Sequence, residues 1–290
     1  MASYSQKSTI VSVLRIHRRQ QHPSALADEP VGRLVKAVQR ASSWSRVIVA
    51  YDAADTVLSQ TISARPELNP GSGEDVILLP VQPWSFTVPL NAIIIRACAL
   101  GASKIVFISL EMTVSADKLA QMLSLWTKET LVIGKALDPH SFQDISKAND
   151  IHGSEVGASV KLTGLTSPWN TFAIWDLSKL AKTGFLALSD TNVQPGQSAI
   201  EEVPTIALHQ RLFPSESKAI LVKLVDVHES ASGWDTNWND PQRTAWQQSK
   251  LATKDLSAAS HLRLLGLHTE LHAGNSTEPR VLHLDLSCPK

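Results

Sequence analysis

Five short apolar runs, separated by stretches of helical period, constrain the fold of this chain more than any other feature. The runs are STIVSVLRI (Ser8–Ile16), RVIVAYD (Arg46–Asp52), EDVILLPV (Glu74–Val81), KIVFIS (Lys104–Ser109) and TLVIGKAL (Thr130–Leu137). Each is rich in β-branched residues and almost unbroken in apolar character, so each reads as a strand buried on both faces. Between them Val31, Leu34, Val35 and Val38 fall on one helical face, as do Leu90, Ile93, Ile94 and Ala97. Gly101 is placed to end the second of these helices, and Ser115 to cap a third over SADKLAQMLSLWTKE. The alternation predicts an α/β fold: a mostly parallel sheet, Rossmann-like, with helices on both faces. Ligands bind such sheets beyond the carboxyl ends of the strands. The residues to watch are therefore His17–Arg19, Asp52–Asp55, Gln82–Phe86 and Ser109–Met112.

The second half is less regular. His140 to Ser167 is polar and reads as a loop with a short strand. NTFAIWDLSKLAKTGF (Asn170–Phe185) reads as a strand and a short helix ending at Gly184, and KAILVKLVDV (Lys218–Val227) as a strand. SAIEEVPTIALHQRLF reads as a helix. A longer helix starts with Asp240 as N-cap and Pro241 behind it. Leu282, Leu284 and Leu286 alternate near the end, the pattern of an edge strand.

Composition excludes several classes. Lys plus Arg and Asp plus Glu both number 27, so no net field draws the chain to nucleic acid or an anionic membrane. Charge is locally uneven, with Arg15, Arg18 and Arg19 clustered after the first strand. No apolar run has the length of a membrane span, and no leader pattern opens the sequence. Two cysteines, Cys98 and Cys288, do not make a disulfide framework or a cysteine zinc site. A cytoplasmic location is expected, which leaves the Asn275 sequon without use. His268 and His272 lack the intervening acid of a zinc protease, and no phosphate-binding glycine loop or nucleophile elbow is present.

The order of elements and what stands at their junctions resembles the GT-A fold of the family 2 nucleotide-sugar glycosyltransferases. The resemblance runs from about Thr9 to Val227. VIVAYDAADT offers Asp52 where that family holds the nucleotide base. VPLNAIIIRACALGASKIVFIS has the family's helix before the fourth strand, with Asn91. The family's metal-binding Asp-x-Asp position reads Ser109-Leu110-Glu111, and TFAIWDLSKLAKTGF looks like its acceptor-side segment. Glu201-Glu202 stands where the family's catalytic base opens a helix. The chain departs from the pattern at Ser109, which brings no charge, and after the base helix, where Trp234, Trp238, Arg243 and Trp246 lack the family's spacing.

The resemblance implies residues 1–230 as a nucleotide-sugar-binding and catalytic domain. Residues 231–290 would be a helical extension and tail packed on the same domain. It implies a nucleotide diphosphate sugar as donor, UDP before GDP, a small-molecule acceptor, and inversion. Glu202 would be the base, with Glu201 beside it. Ser198-Ala199-Ile200-Glu201 also fits a capping box, which would occupy Glu201. Asp52, Asp55, Arg15, Arg18, Asn91, Ser109 and Trp84 would line the donor, and Trp175 and Asn170 the acceptor. Glu111 would hold Mg²⁺ or Mn²⁺, which often takes only one or two protein carboxylates beside phosphate. Two other readings fit the same residues. One is a GT-A protein that has lost transfer and binds a ligand or partner. The other is the scaffold turned to a non-glycosyl reaction on a secondary metabolite, with Glu111 and Glu202 as acid and base.

Overall fold

The computed structural model of the chain describes residues 10–18, 28–68, 75–143, 151–152, 155–191, 199–224, 233–235, 241–268 and 278–287. Arg19, Ser198, Trp238, Asp240, His272, Asn275 and Cys288 lie outside the described residues.

The five apolar runs form β1 (Ile10–Ile16), β2 (Arg46–Asp52), β3 (Val76–Val81), β4 (Lys104–Ile108) and β5 (Thr130–Lys135). Five more strands complete the sheet: β6 (Ile151–His152), β7 (Glu155–Lys161), β8 (Phe172–Asp176), β9 (Lys218–Lys223) and β10 (Arg280–Asp285). Their order is β3-β2-β1-β4-β8-β5-β9-β10-β7-β6. Neighbours from β3 to β4 are parallel, as are β5, β9 and β10. The expected fold class, an α/β fold with a mostly parallel sheet and helices on both faces, is the one present.

Side chains alternate along each strand, so the sheet feeds two cores. Val47 and Val49 of β2 face one core while Ile48 and Ala50 face the other. Helices α1 (Asp28–Ser42), α2 (Thr56–Ser63) and α4 (Ala116–Ser124) cover the first face. Helices α3 (Val88–Ala99), α5 (Leu177–Leu180), α6 (Glu202–Leu212) and α7 (Pro241–Leu264) cover the second. Ser115 caps α4 by accepting the Lys118 N–H, and Gly101 past α3 takes φ +70, as their positions predict.

One feature differs from the sequence reading, and the short strand expected between His140 and Ser167 is present. β10 is not an edge strand: it lies between β9 and β7. The leucine alternation describes one face only; Val281 and His283 are buried as well, which an interior strand requires. The polar stretch from His140 to Ser167 contributes β7, paired antiparallel to β10.

The strand that matters most for the site is β8. It runs antiparallel to both β4 and β5. Its first residues therefore reach the edge where the parallel strands end. The Ser109 N–H, just past β4, donates to the Thr171 carbonyl at 2.9 Å.

Buried histidines make the fold acid-sensitive. The His140 Nδ1 accepts the Leu137 N–H at 2.9 Å, and its Nε2 meets the Ser167 carbonyl at 3.1 Å. His283 repeats this, with Nδ1 accepting the Gln143 N–H and Nε2 on the Thr166 carbonyl. A ring nitrogen that accepts a backbone N–H cannot take a proton without losing that bond. Burial, with the charge of Lys254, holds His140 down to about 3, and burial holds His209 down to about 4. Burial also lowers His261 and His283. An unfolded chain protonates these rings near pH 6.5 and the folded chain does not, so stability is lost as pH falls below that value. Each such ring contributes up to ~1.4 kcal/mol per pH unit across its window. Thermal melts at pH 7 and pH 5 are expected to show a lower midpoint at pH 5. A flat profile would contradict the neutral rings.

Candidate active site

Four residues expected at the site meet at the carboxyl edge: Arg15 from β1, Asn170 before β8, and Glu201 and Glu202 at the start of α6. Both glutamates are buried, at 4% exposure each. Glu202 Oε1 accepts the Asn170 backbone N–H at 2.7 Å, and Glu201 Oε1 accepts the Asn170 side-chain amide at 3.0 Å. The Asn170 Oδ1 accepts the Trp175 indole N–H at 2.8 Å, which fixes the orientation of the amide. Arg15 approaches Glu201 Oε1 at 3.9 Å and donates to the Phe86 carbonyl at 3.3 Å.

The electrostatics follow from burial. Burial pushes the Glu202 carboxyl up, to about 7, and the neighbouring Glu201 charge adds to the push. Burial pulls the Arg15 guanidinium down, while Glu201 and Glu202 support its charge. Lys254 of α7, 6% exposed, belongs to the same group. Burial pulls its ammonium down to about 8, against the support of Glu202. Its Nζ stands 3.6 Å from the centroid of the Trp169 ring, a cation–π contact. The reading of the sequence missed Lys254. Its signal was present: Leu251, Lys254, Ala258 and Leu262 share one helical stripe, and a lysine on an apolar stripe is a buried lysine.

The capping-box reading of Glu201 does not hold among the described residues. Glu201 is the N-cap position of α6 and makes no side-chain cap bond; its carboxylate reaches across to Asn170 instead. Trp175 does not face an acceptor. It is fully buried in the core and packs edge-on against Phe185, with ring centroids 5.3 Å apart. Asn91, expected on the donor side, is half-buried and spends its amide on the chain itself. Its amide donates to the Phe185 carbonyl at 2.9 Å and accepts the Phe185 N–H at 2.8 Å. That bond pair holds the turn at Gly184, whose φ is +64. Asn91→Ala is expected to lower stability by about 2 kcal/mol through two lost bonds. Urea unfolding measures this, and donor binding of the folded variant should be unchanged.

The remaining donor-side residues surround the ends of β1, β2 and β3. Asp55 caps α2 by accepting the Leu58 N–H, and it pairs with Arg18. Arg18 holds the Asp55 carboxyl below its usual range. The Asp52 carboxylate accepts the Ala54 N–H at 3.0 Å, closing the turn after β2. Trp84 is half-buried beside His17, ring centroids 5.4 Å apart.

The turn after β4 carries Ser109 and Glu111. The Ser109 hydroxyl oxygen is buried and has no hydrogen-bond partner among the described residues. The Glu111 carbonyl accepts the Asp235 N–H at 2.9 Å, so residues 233–235 lie along this turn. Among the described residues no three His, Cys, Asp or Glu side chains come together as a cation cage. Were this turn to hold a divalent ion, the protein would offer it one carboxylate, Glu111, and one hydroxyl, Ser109. That fits an ion whose other ligands are phosphate and water. No helix among the described residues is long and apolar enough to cross a membrane.

No protein-family model and no curated protein matches the chain. Solved structures do. A mannosyltransferase from Pyrobaculum calidifontis, in complex with GDP-Man and Mn²⁺, matches over 90% of this chain and 76% of its own, at 13% identity and TM-score 0.47. A 4-diphosphocytidyl-2C-methyl-D-erythritol synthase from Anaerococcus prevotii matches over 85% and 98%, at 9% identity and TM-score 0.46. A nucleotide-diphospho-sugar transferase from Desulfovibrio desulfuricans, itself described as putative, matches over 86% and 97%, at 9% identity and TM-score 0.42. Such likeness concerns the path of the chain and carries nothing about ligand or reaction.

Proposed function

We propose that the protein is a nucleotide-sugar glycosyltransferase acting with inversion on a small-molecule acceptor. The observation that carries this reading is the buried Glu201–Glu202 pair at the carboxyl edge, with the Glu202 carboxyl raised to about 7 beside Arg15. A base is most effective when its pKa lies near the working pH. In the proposed step an acceptor hydroxyl attacks the anomeric carbon of the donor. The new C–O bond forms as the bond to the diphosphate breaks, the hydroxyl proton passes to Glu202, and the nucleoside diphosphate leaves. Arg15 offers positive charge for the leaving group. Glu111 and Ser109 would share a Mg²⁺ or Mn²⁺ with the donor phosphates, and such an ion neutralises diphosphate charge when bound. Asp52 and Trp84 are the residues proposed for the nucleobase. UDP is the preferred nucleotide, on the resemblance of the sequence alone.

The test is calorimetric titration of UDP, GDP and their sugars, with and without Mn²⁺. Binding that Mn²⁺ strengthens at least about tenfold, and that Glu111→Ala returns to the metal-free value, supports the reading. Absence of binding by every nucleotide, with and without Mn²⁺, would overturn it.

Two observations favour a second reading, a ligand-binding protein without transferase activity. Both glutamates already bond Asn170, and Ser109 stands where a charged ligand is expected. Nucleotide binding with no transfer to any acceptor in a hydroxyl-bearing panel would select it.

A further inference from the structure

We propose that Lys254, brought by α7 and held on the Trp169 ring, is a positioning residue of the glutamate pair that Asn170 clasps, its ammonium being the counter-charge to the Glu202 carboxylate. The inference rests on the reading of Glu202 as a base, although its test does not require that reading.

The geometry starts with Trp169. Its indole N–H donates to the Gly164 carbonyl at 2.7 Å, and its ring meets His140, centroids 3.7 Å apart. The ring is thus fixed from two sides, and it is 2% exposed. Lys254 comes down on this fixed ring from α7, whose backbone passes directly over Gly164. The neighbouring Asp255 accepts the Leu165 N–H at 2.8 Å and holds α7 to the same loop. The next residue after Trp169 is Asn170, which both glutamates bond. A single short segment therefore carries the platform for the ammonium and the clasp for the carboxylates.

Among the described residues the charges that act on this group come from four places. Glu201 and Glu202 come from the start of α6, Arg15 from β1, Lys250 and Asp255 from α7 itself, and His140, neutral, from the loop after β5. Two carboxylates out of water disfavour each other's charge, and burial disfavours both. Lys254 opposes this at Glu202, as does Arg15, and Glu202 in turn supports the charge of both. A lysine sheltered from water costs stability unless its partner is charged, so the two ionise in concert. Nothing in the packing of α7 alone asks for a lysine there, because Leu251, Ala258 and Leu262 complete an apolar stripe.

The test uses the full chain with ¹³C-carboxyl glutamate, the Glu202 signal being assigned by its loss in Glu202→Gln. The Glu202 titration midpoint is read in wild type, Lys254→Met and Lys254→Arg. Lys254→Met is expected to raise the midpoint by about one pH unit or more, and Lys254→Arg to restore most of the difference. A midpoint unmoved in a folded Lys254→Met, or moved equally in Lys254→Arg, overturns the proposal. If Lys254→Met does not fold, the reciprocal measurement decides. The ¹⁵Nζ midpoint of Lys254 should fall in Glu202→Gln, because the supporting carboxylate is gone, and an unchanged midpoint overturns the proposal. These titrations involve no donor and no acceptor. A coupled pair in a protein that binds no sugar nucleotide would keep this inference and remove the transferase reading. Transfer without coupling would do the reverse.

Discussion

Glu202→Gln is expected to bind the sugar nucleotide within about twofold of wild type and to transfer sugar at least ~100-fold more slowly. The substitution preserves an oxygen that can accept the Asn170 N–H, which Glu202 now binds at 2.7 Å. It removes the capacity to take a proton and, with it, the carboxylate charge that supports Arg15 and Lys254. Calorimetry with the donor found by titration, and single-turnover transfer, separate the two effects. Wild type should show the matching pH dependence. A base that ionises at about 7 makes kcat/KM rise roughly tenfold per pH unit below that value and level above it. Stability runs the other way for this group. Its folded pKa is raised, so its contribution is complete below the unfolded carboxylate pKa and is lost as pH rises toward 7. The variant should therefore not be less stable than wild type above pH 7 on account of the missing charge. Loss of transfer with an intact melt places Glu202 in the chemistry. Unchanged turnover removes it.

Much of the frame was legible because burial on both faces writes itself as continuous apolar runs. The ends of β1, β2 and β4 follow from where those runs stop, and Arg15 and Ser109 with them. What was not legible is anything set by a partner distant in sequence. Asn91 looks like a donor-side residue until Phe185 is placed against it, 94 positions away. Trp175 looks like a stacking surface until β8 is seen wedged between β4 and β5, where no face of it is open. Glu201 fits a local capping pattern, and its bond goes to Asn170, which no local rule can foresee. Lys254 is the opposite case. The stripe that buries it is visible in the sequence, but lysine in a long helix is ordinarily a solvated residue, and it is the Trp169 ring beneath it and the nearby charge of Glu202 that give it a purpose.

Gly164→Ala is expected to cost about 3 kcal/mol, the larger end of what overpacking does. A Cβ at Gly164 would meet the Lys254 carbonyl group, its carbon at 2.5 Å, and the Asp255 nitrogen at 2.9 Å. These are backbone atoms of α7, so no side chain can rotate aside, and the helix must move or the loop must yield. The loop is tied by the Trp169 indole on the Gly164 carbonyl and by Asp255 on the Leu165 N–H. Movement of α7 therefore breaks the charge-assisted bond of Asp255 and lifts Lys254 from its ring. Gly32→Ala is the control: Gly32 lies inside α1 with nothing within 4 Å of the added carbon. There alanine should gain up to ~1 kcal/mol from helix propensity. Urea unfolding of the two variants should thus move in opposite directions. A Gly164→Ala midpoint equal to wild type would mean that α7 does not press on this loop. The cation would then have no fixed seat beside the glutamates, and their ionisation would have to be explained by Arg15 alone.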